Sequence, residues 1–205
     1  MGVAILRKTI EYTNEKINFW LDEFPQMPRL NTKECNVLIA STLKKDFTNT
    51  KIALEISRHV GPFIQYGLLG TEFQPAIKGG SHLEIKLNYI LKNEVKYDGF
   101  LYNNSYTFCG MHSWCERGTF DGTNNWSHDY MLSEIKKHLN LTGKIPPGIL
   151  NFSIAANDEV GSSPKMFSVM AKMLIDLIAI KNTQQVDDWE EVIKDVYFSS
   201  ELFKG

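Results

Sequence analysis

The chain has 205 residues, of which 43% are hydrophobic and 12% aromatic, and its formal net charge is −2 at pH 7. This composition suits one globular domain with a large core and excludes a disordered or fibrous chain. The small net charge does not by itself indicate nucleic-acid binding, although a local basic patch is compatible with it.

The N-terminal part of the chain carries mixed signals. Residues 3–24 fit either a strand or a helix. Thr32 is a suitable cap for a helix over 33–45. Residues 51–60 again fit both periods, and Gly61-Pro62 ends the element in either case.

The region from 71 to 102 predicts β structure. Apolar and polar residues alternate over 83–91, which is typical of a strand with one wet face. A second strand over 95–102 would return beside it.

The C-terminal half predicts three helices and one strand. The first helix covers 128–141 and turns Tyr130 toward the core, and a strand follows over 149–155. Pro164 after two serines marks the start of a central helix that is apolar nearly all round. Asp187 or Asp188 begins the last helix.

This order of elements predicts an α+β fold, with a mostly antiparallel sheet and helices packed on one face. The C-terminal half also fits a split β-α-β element. We expect a single domain over 1–205, in which residues 1–50 form an N-terminal helical or strand region and 51–205 the α+β core.

Residues 105–130 hold the densest set of reactive side chains, and most of this stretch has neither a helical nor a strand period. Long irregular segments in compact domains are often functional. Aromatic and arginine side chains suit a binding interface, and they would equally well pin a long loop onto a core. The predicted contact residues are Trp114, Arg117, Phe120, Trp126 and Tyr130.

The same segment contains Cys109, His112 and Cys115, separated by two-residue gaps. Thiolates and imidazoles are zinc ligands, and this spacing would let them converge on one ion. Either cysteine would also suit nucleophilic catalysis with a histidine as its base. The alternative without chemistry is a buried Cys109 and two ordinary loop residues.

A third pattern is Glu84-Ile85-Lys86, whose two charged residues would stand side by side on one face of a strand. It resembles the acid-x-Lys half of the PD-(D/E)xK nuclease family. The resemblance implies a bound Mg²⁺ and metal-assisted phosphodiester cleavage, with Glu72 in place of the missing upstream aspartate. Asp98 lies downstream on the expected partner strand. A Glu/Lys pair is also ordinary surface chemistry.

A fourth pattern is Glu-Val-x-Ser-Ser-x3-Phe over 159–167, within a helix–strand–loop–helix order. It is similar to domain IV of translational elongation factor G, which implies a βα sandwich with a split β-α-β element. Ribosome binding would rest on fold analogy alone. The two serines also fit a simple helix cap.

Three functions follow from these patterns. The first is a binding or regulatory protein, inhibitor-like or immunity-like, that contacts a protein partner through 105–130. The second is a Mg²⁺-dependent nuclease acting on nucleic acid, and the third is a cysteine- or zinc-dependent enzyme. We favour the first because no full catalytic signature is present. With no signal-peptide pattern, no disulfide framework and no membrane-spanning apolar run, we expect a cytoplasmic protein.

Overall fold

In a computed structural model, the described residues of the chain form one seven-stranded sheet with three helices on one face. The structure describes residues 6–25, 33–77, 80–89, 128–157 and 162–200. The strands are β1 Leu6–Tyr12, β2 Glu15–Leu21, β3 Lys33–Ala40, β4 Thr50–Val60, β5 Phe63–Pro75, β6 His82–Tyr89 and β7 Gly148–Asn157. The helices are α1 His128–Thr142, α2 Pro164–Thr183 and α3 Trp189–Ser199.

The strand order is β1-β2-β4-β5-β7-β6-β3, so β1 and β3 lie at the two edges. All neighbouring strands are antiparallel except β6 and β7, which are parallel. The predicted α+β class, with a mostly antiparallel sheet, is confirmed. Among the described helices, none is long and apolar enough to cross a membrane.

The ambiguous N-terminal region forms a β-hairpin. β1 and β2 pair from Leu6↔Leu21 to Tyr12↔Glu15 around a two-residue turn. Ile17 and Phe19 on β2 join the main core, whereas Asn18 between them lies on the opposite face. This period of two settles the region as strands, and β1, β2 and β3 belong to the same sheet as the later elements.

The predicted helix over 33–45 is wrong. Residues 33–40 form strand β3, and 41–49 are an irregular connection. Ile39 is buried toward the helices, whereas Leu38 is 63% exposed. Alternation along the edge of a sheet, fixed by pairing with β6, therefore overrides the local helix signal.

The long hairpin β4–β5 forms the centre of the sheet. Residues 51–60 are the strand that the sequence left open, and Gly61 supplies the left-handed conformation, with φ 59°, at the turn. Ile52, Leu54 and Ile56 are fully buried on the helix side of β4. Burial of one such side chain contributes about 1.5–3 kcal/mol, so this strand is a main support of the core.

The β-α-β element predicted for the C-terminal half is present as β6-α1-β7, but the prediction that it is split is wrong. Its two strands are direct neighbours, with Leu83↔Gly148 and Leu87↔Phe152 in register, so no strand is inserted between them. Helix α1 covers the residues predicted for it and buries Met131 on its inner side. The crossover brings both carboxyl ends of the parallel pair to one end of the sheet.

The helix α2 is the centre of the helical layer. Pro164 is in its first turn, and the Ser163 side chain accepts a hydrogen bond from the Met166 N–H, as the sequence predicts. Phe167 and Leu174 are fully buried against the sheet. Asp188 caps α3, which packs beside α2, so the last predicted helix is also confirmed.

The two faces of the sheet differ. One face and the helices form the main core. The other face, called the outer face below, carries a smaller buried cluster on the central strands and polar side chains toward β3. The buried outer-face cluster consists of Trp20, Ala53, Tyr66, Leu68 and Ala156.

Candidate functional site

Residues 105–127 of the predicted contact segment lie outside the described ranges, and its last three residues belong to α1. β6 ends at Tyr89 and α1 begins at His128, so 38 residues separate them. Tyr130 is the one predicted contact residue within the described part of the chain, in the first turn of α1, and it is half-buried. The other predicted residues that lie outside the described ranges are Asp98, Cys109, His112, Trp114, Cys115, Arg117, Phe120 and Trp126.

The two ends of the connection between β6 and α1 meet at one end of the sheet. Because β6 and β7 are parallel, Tyr89 and Asn157 terminate on the same side, which we call the carboxyl end of the sheet. α1 leads back to the start of β7, so its first residue, His128, also lies there, as does Pro164 at the start of α2.

A chain of hydrogen bonds links this end to the outer face. Ser162 Oγ donates to the Tyr66 carbonyl oxygen over 2.5 Å. Tyr66 Oη donates to Glu55 Oε1 over 2.7 Å, and Asn18 Nδ2 donates to Glu55 Oε2 over 2.6 Å. Asn18 Oδ1 accepts in turn from Thr9 Oγ1 over 2.8 Å. We call these five side chains the Glu55 network.

Burial dominates the electrostatics of the Glu55 network. Glu55 is only 4% exposed, and this burial raises its pKa above the ordinary value of 4.5, against the opposing effect of the hydrogen bonds from Tyr66 and Asn18. Burial likewise raises the pKa of the Tyr66 hydroxyl well above its ordinary value. Both carboxyl oxygens already accept hydrogen bonds. Glu55 is therefore suited to hold its neighbours in place rather than to meet a substrate.

The three described residues of the nuclease prediction, Glu72, Glu84 and Lys86, lie on the outer face. Lys86 Nζ is 3.7 Å from Glu84 Oε1, so the predicted Glu/Lys pair is formed on β6. Glu72 on β5 is two strands away, because Asn151 of β7 lies opposite both Glu72 and Lys86. With strands spaced by about 4.8 Å, the backbones of Glu72 and Lys86 are about 10 Å apart.

The carboxylates of Glu72 and Glu84 have partners on opposite sides. Glu72 Oε1 is 4.0 Å from Lys51 Nζ on β4, whereas Glu84 Oε1 accepts a hydrogen bond of 2.9 Å from Asn36 Nδ2 on β3. Lys86 Nζ also donates to Glu34 Oε1 over 3.0 Å, and this hydrogen bond raises the pKa of Lys86. The arrangement is that of a surface ion-pair network.

Metal binding is not supported by the described residues. Within those ranges, no group of three or more His, Cys, Asp or Glu side chains is placed to hold an ion. Cys35, on β3, is the described cysteine, and its Sγ lies 3.6 Å from the Leu87 carbonyl oxygen. The predicted Cys/His ligands fall outside the described part of the chain.

The helical layer contains a polar cleft that sequence analysis did not find. His138 Nε2 is 3.1 Å from Asp176 Oδ1, and Lys144 Nζ donates to the same oxygen over 2.8 Å. Burial would raise the pKa of Asp176, but these two partners lower it below its ordinary value. A neighbouring cavity of about 210 Å³ lies between the three helices. Because the partners are 32 to 38 residues apart, no local pattern could have joined them.

Comparisons with protein-family models, with curated proteins and with solved structures find no match to this chain. These comparisons therefore add no support to the resemblance to the nuclease family or to the elongation-factor domain.

Proposed function

We propose that this is a non-enzymatic protein-binding module that contacts its partner through residues 105–130. The observation that carries the proposal is the length of the connection between β6 and α1. Connections between a strand and a helix in α/β units commonly need about 2–6 residues, and this one has 38. These 38 residues include two Trp, three Phe and three Tyr, and they are more than chain closure requires.

Rigid elements on both sides of the segment support the proposal. Leu87, near the end of β6, is fully buried, as are Met131 and Ile135 in α1. Binding residues are commonly found on connections that a rigid scaffold positions. The segment thus begins and ends on parts of the fold that cannot shift without disturbing the core.

The polar clusters of the described residues favour binding over catalysis. Glu55 is buried with both oxygens engaged, and the Glu84/Lys86 pair is held by neighbours on β3. A hydrolytic site would need a carboxylate that is open to a substrate or a metal ion. The carboxylates of Glu55 and Glu84 are instead hydrogen-bonded to neighbouring side chains, as in a structural framework.

The test compares two sets of substitutions. The first replaces Trp114, Arg117, Phe120 and Trp126 by Ala, and the matched control replaces the exposed Ile77 and Leu141 by Ala. A partner isolated with the wild-type chain should be retained by the control. The first variant should raise its Kd by at least about 30-fold, since one interface hot spot is worth about 2 kcal/mol or more. Calorimetry with the purified partner gives the Kd values.

Tryptophan fluorescence separates a contact surface from a packed one. Trp20 is 2% exposed, and Trp189 packs partly buried against the core. Replacing both by Phe leaves Trp114 and Trp126 as the only indoles. The proposal expects these two to be readily quenched by acrylamide in the free protein and protected in the complex. Indoles that are protected in the free monomer would show that the segment seals the core, and the proposal would fail.

The two catalytic alternatives keep decisive tests of their own. The zinc alternative requires stoichiometric zinc in the purified protein, lost when Cys109 and Cys115 are replaced by Ser. The nuclease alternative requires Mg²⁺-dependent cleavage of DNA or RNA that Lys86→Ala abolishes. On the binding proposal neither result is expected.

A further inference from the structure

Among the strands that the structure describes, β1 and β3 are the two edges of the sheet, and they are protected to different degrees. β1 carries Arg7, Lys8 and Glu11 along its seven residues, and such charges discourage pairing with another chain. β3 has charged residues only at positions 33 and 34, followed by Cys-Asn-Val-Leu-Ile-Ala. It is eight residues long, pairs with β6 without a bulge, and exposes 63% of Leu38. An edge strand of this length, with charges at one end only and no bulge, is a template for strand pairing.

The register identifies the backbone groups that face away from β6. The Ser41 N–H donates to the Ser81 carbonyl oxygen over 3.0 Å, just beyond the pair Ala40↔His82. In an antiparallel ladder such hydrogen-bonded pairs recur at every second residue. The odd-numbered residues of β3 therefore bond to β6. The N–H and C=O groups directed to the outer side of the edge belong to Glu34, Asn36, Leu38 and Ala40.

We propose that β3 pairs antiparallel with β3 of a second copy of this chain, about a twofold axis at Val37. In this register Asn36 lies opposite Leu38 of the second copy, and Glu34 opposite its Ala40. Each of the four outward-facing residues in each copy then donates one backbone hydrogen bond to the residue opposite and accepts one from it. The two copies together form about eight such bonds. Moving the axis to residue 36 or 38 leaves one residue of each copy unpaired.

The side chains in this register are also compatible with a second copy. On the helix side, Val37 meets its own counterpart and Cys35 meets Ile39, so the row is entirely apolar. No like charges are opposed along the strand, and the net charge of −2 gives little long-range repulsion between copies. The contact is isologous, so it closes at two copies, and the charged β1 edge does not extend it.

The experiment is sedimentation velocity of the full chain over a range of concentrations. The wild-type chain should form a dimer. Leu38→Lys should raise its dissociation constant by at least about tenfold, whereas Leu141→Lys, which replaces another exposed leucine at 78% exposure, should leave it unchanged. A wild-type chain that stays monomeric at the highest soluble concentration overturns the proposal, as does a dimer that Leu38→Lys does not weaken. Circular dichroism confirms that each variant is folded.

Disulfide trapping tests the register. Opposed residues at a pair without hydrogen bonds have Cα atoms about 4.5 Å apart, which suits a disulfide. Val37→Cys should therefore give a covalent dimer under mild oxidation. In this register Cys35 and its own counterpart are about 13 Å apart along the ladder, and position 34 is farther still from its counterpart. With Cys109 and Cys115 replaced by Ser in every protein compared, the parent chain and Glu34→Cys should stay uncrosslinked, and crosslinking of Glu34→Cys in place of Val37→Cys would rule out the pairing.

Discussion

Glu55→Gln is the most informative single substitution, because it removes a buried titrating group and keeps its shape. Glu55 accepts hydrogen bonds from Tyr66 and Asn18 at 4% exposure, and burial raises its pKa above 4.5. The folded chain therefore binds this proton more tightly than the unfolded chain does. The stability that the protonated group contributes is present below pH 4.5 and is lost as the pH rises through the folded pKa.

The magnitude follows from linkage. One proton changes the free energy of unfolding by at most about 1.4 kcal/mol per pH unit, and only between the unfolded and folded pKa values. The free energy of unfolding of wild type minus that of Glu55→Gln should therefore decrease above pH 4.5, by at most this amount per pH unit. Above the folded pKa of Glu55 the difference should become constant. Other titrating groups cancel in the difference. Urea unfolding of both proteins at half-unit pH steps from 4 to 8 gives the two curves.

A second variant checks the cause of the shift. The hydrogen bond from Tyr66 lowers the pKa of Glu55 against the effect of burial. Tyr66→Phe should therefore raise that pKa further and extend the sloping window to higher pH. A difference between wild type and Glu55→Gln that stays flat, or that grows in favour of wild type as the pH rises, would refute the reasoning. It would mean that the network stabilises the ionised carboxylate.

Three further predictions concern the scaffold and are measured by denaturant unfolding. Ser163→Ala removes the α2 cap and should cost about 1 kcal/mol, with Lys165→Ala as an exposed control on the same helix. Phe152→Ala empties a fully buried site on β7 and should cost about 3–5 kcal/mol; a much smaller loss would contradict the described core. Asp176→Asn should remove stability that wild type has above pH 3.8 and loses as the pH falls, because His138 and Lys144 lower the folded pKa; a difference independent of pH from 2 to 6 would contradict this.

Sequence patterns located the ends of an element where those ends are chemically marked. Pro164 after Ser163 marks the start of α2, and Gly61-Pro62 marks the end of β4, although the pattern over 51–60 left helix and strand both open. β3 was misassigned because its eight residues carry no such mark, and its strand form depends on pairing with β6, some 50 residues later. Long-range pairing of this kind leaves no local trace.

Gly67 shows a second reason for an incomplete prediction. It lies in β5, within a stretch that sequence analysis did not assign, and glycine weakens a local strand signal. A Cβ at this position would lie 3.0 Å from Met170 Sδ and 3.2 Å from the Phe167 ring. Glycine is present because α2 packs closely on the strand, which only the tertiary structure reveals. The partners within the Glu55 network are likewise set by strand register, not by spacing in the sequence.

The proposed dimer edge β3 pairs with β6, the last described strand before residues 90–127 in the chain. In an antiparallel β3 pair, the two β6 strands also run in opposite directions. The carboxyl ends of the two β6 strands then lie at opposite ends of the joined sheet. Residues 90–127 of each copy follow directly after these ends. Each dimer should therefore bind two partner molecules independently. Light scattering of the complex should give two partners per wild-type dimer and one per Leu38→Lys monomer, with the same Kd in calorimetry. A partner affinity that falls with Leu38→Lys would show instead that both copies form a single site.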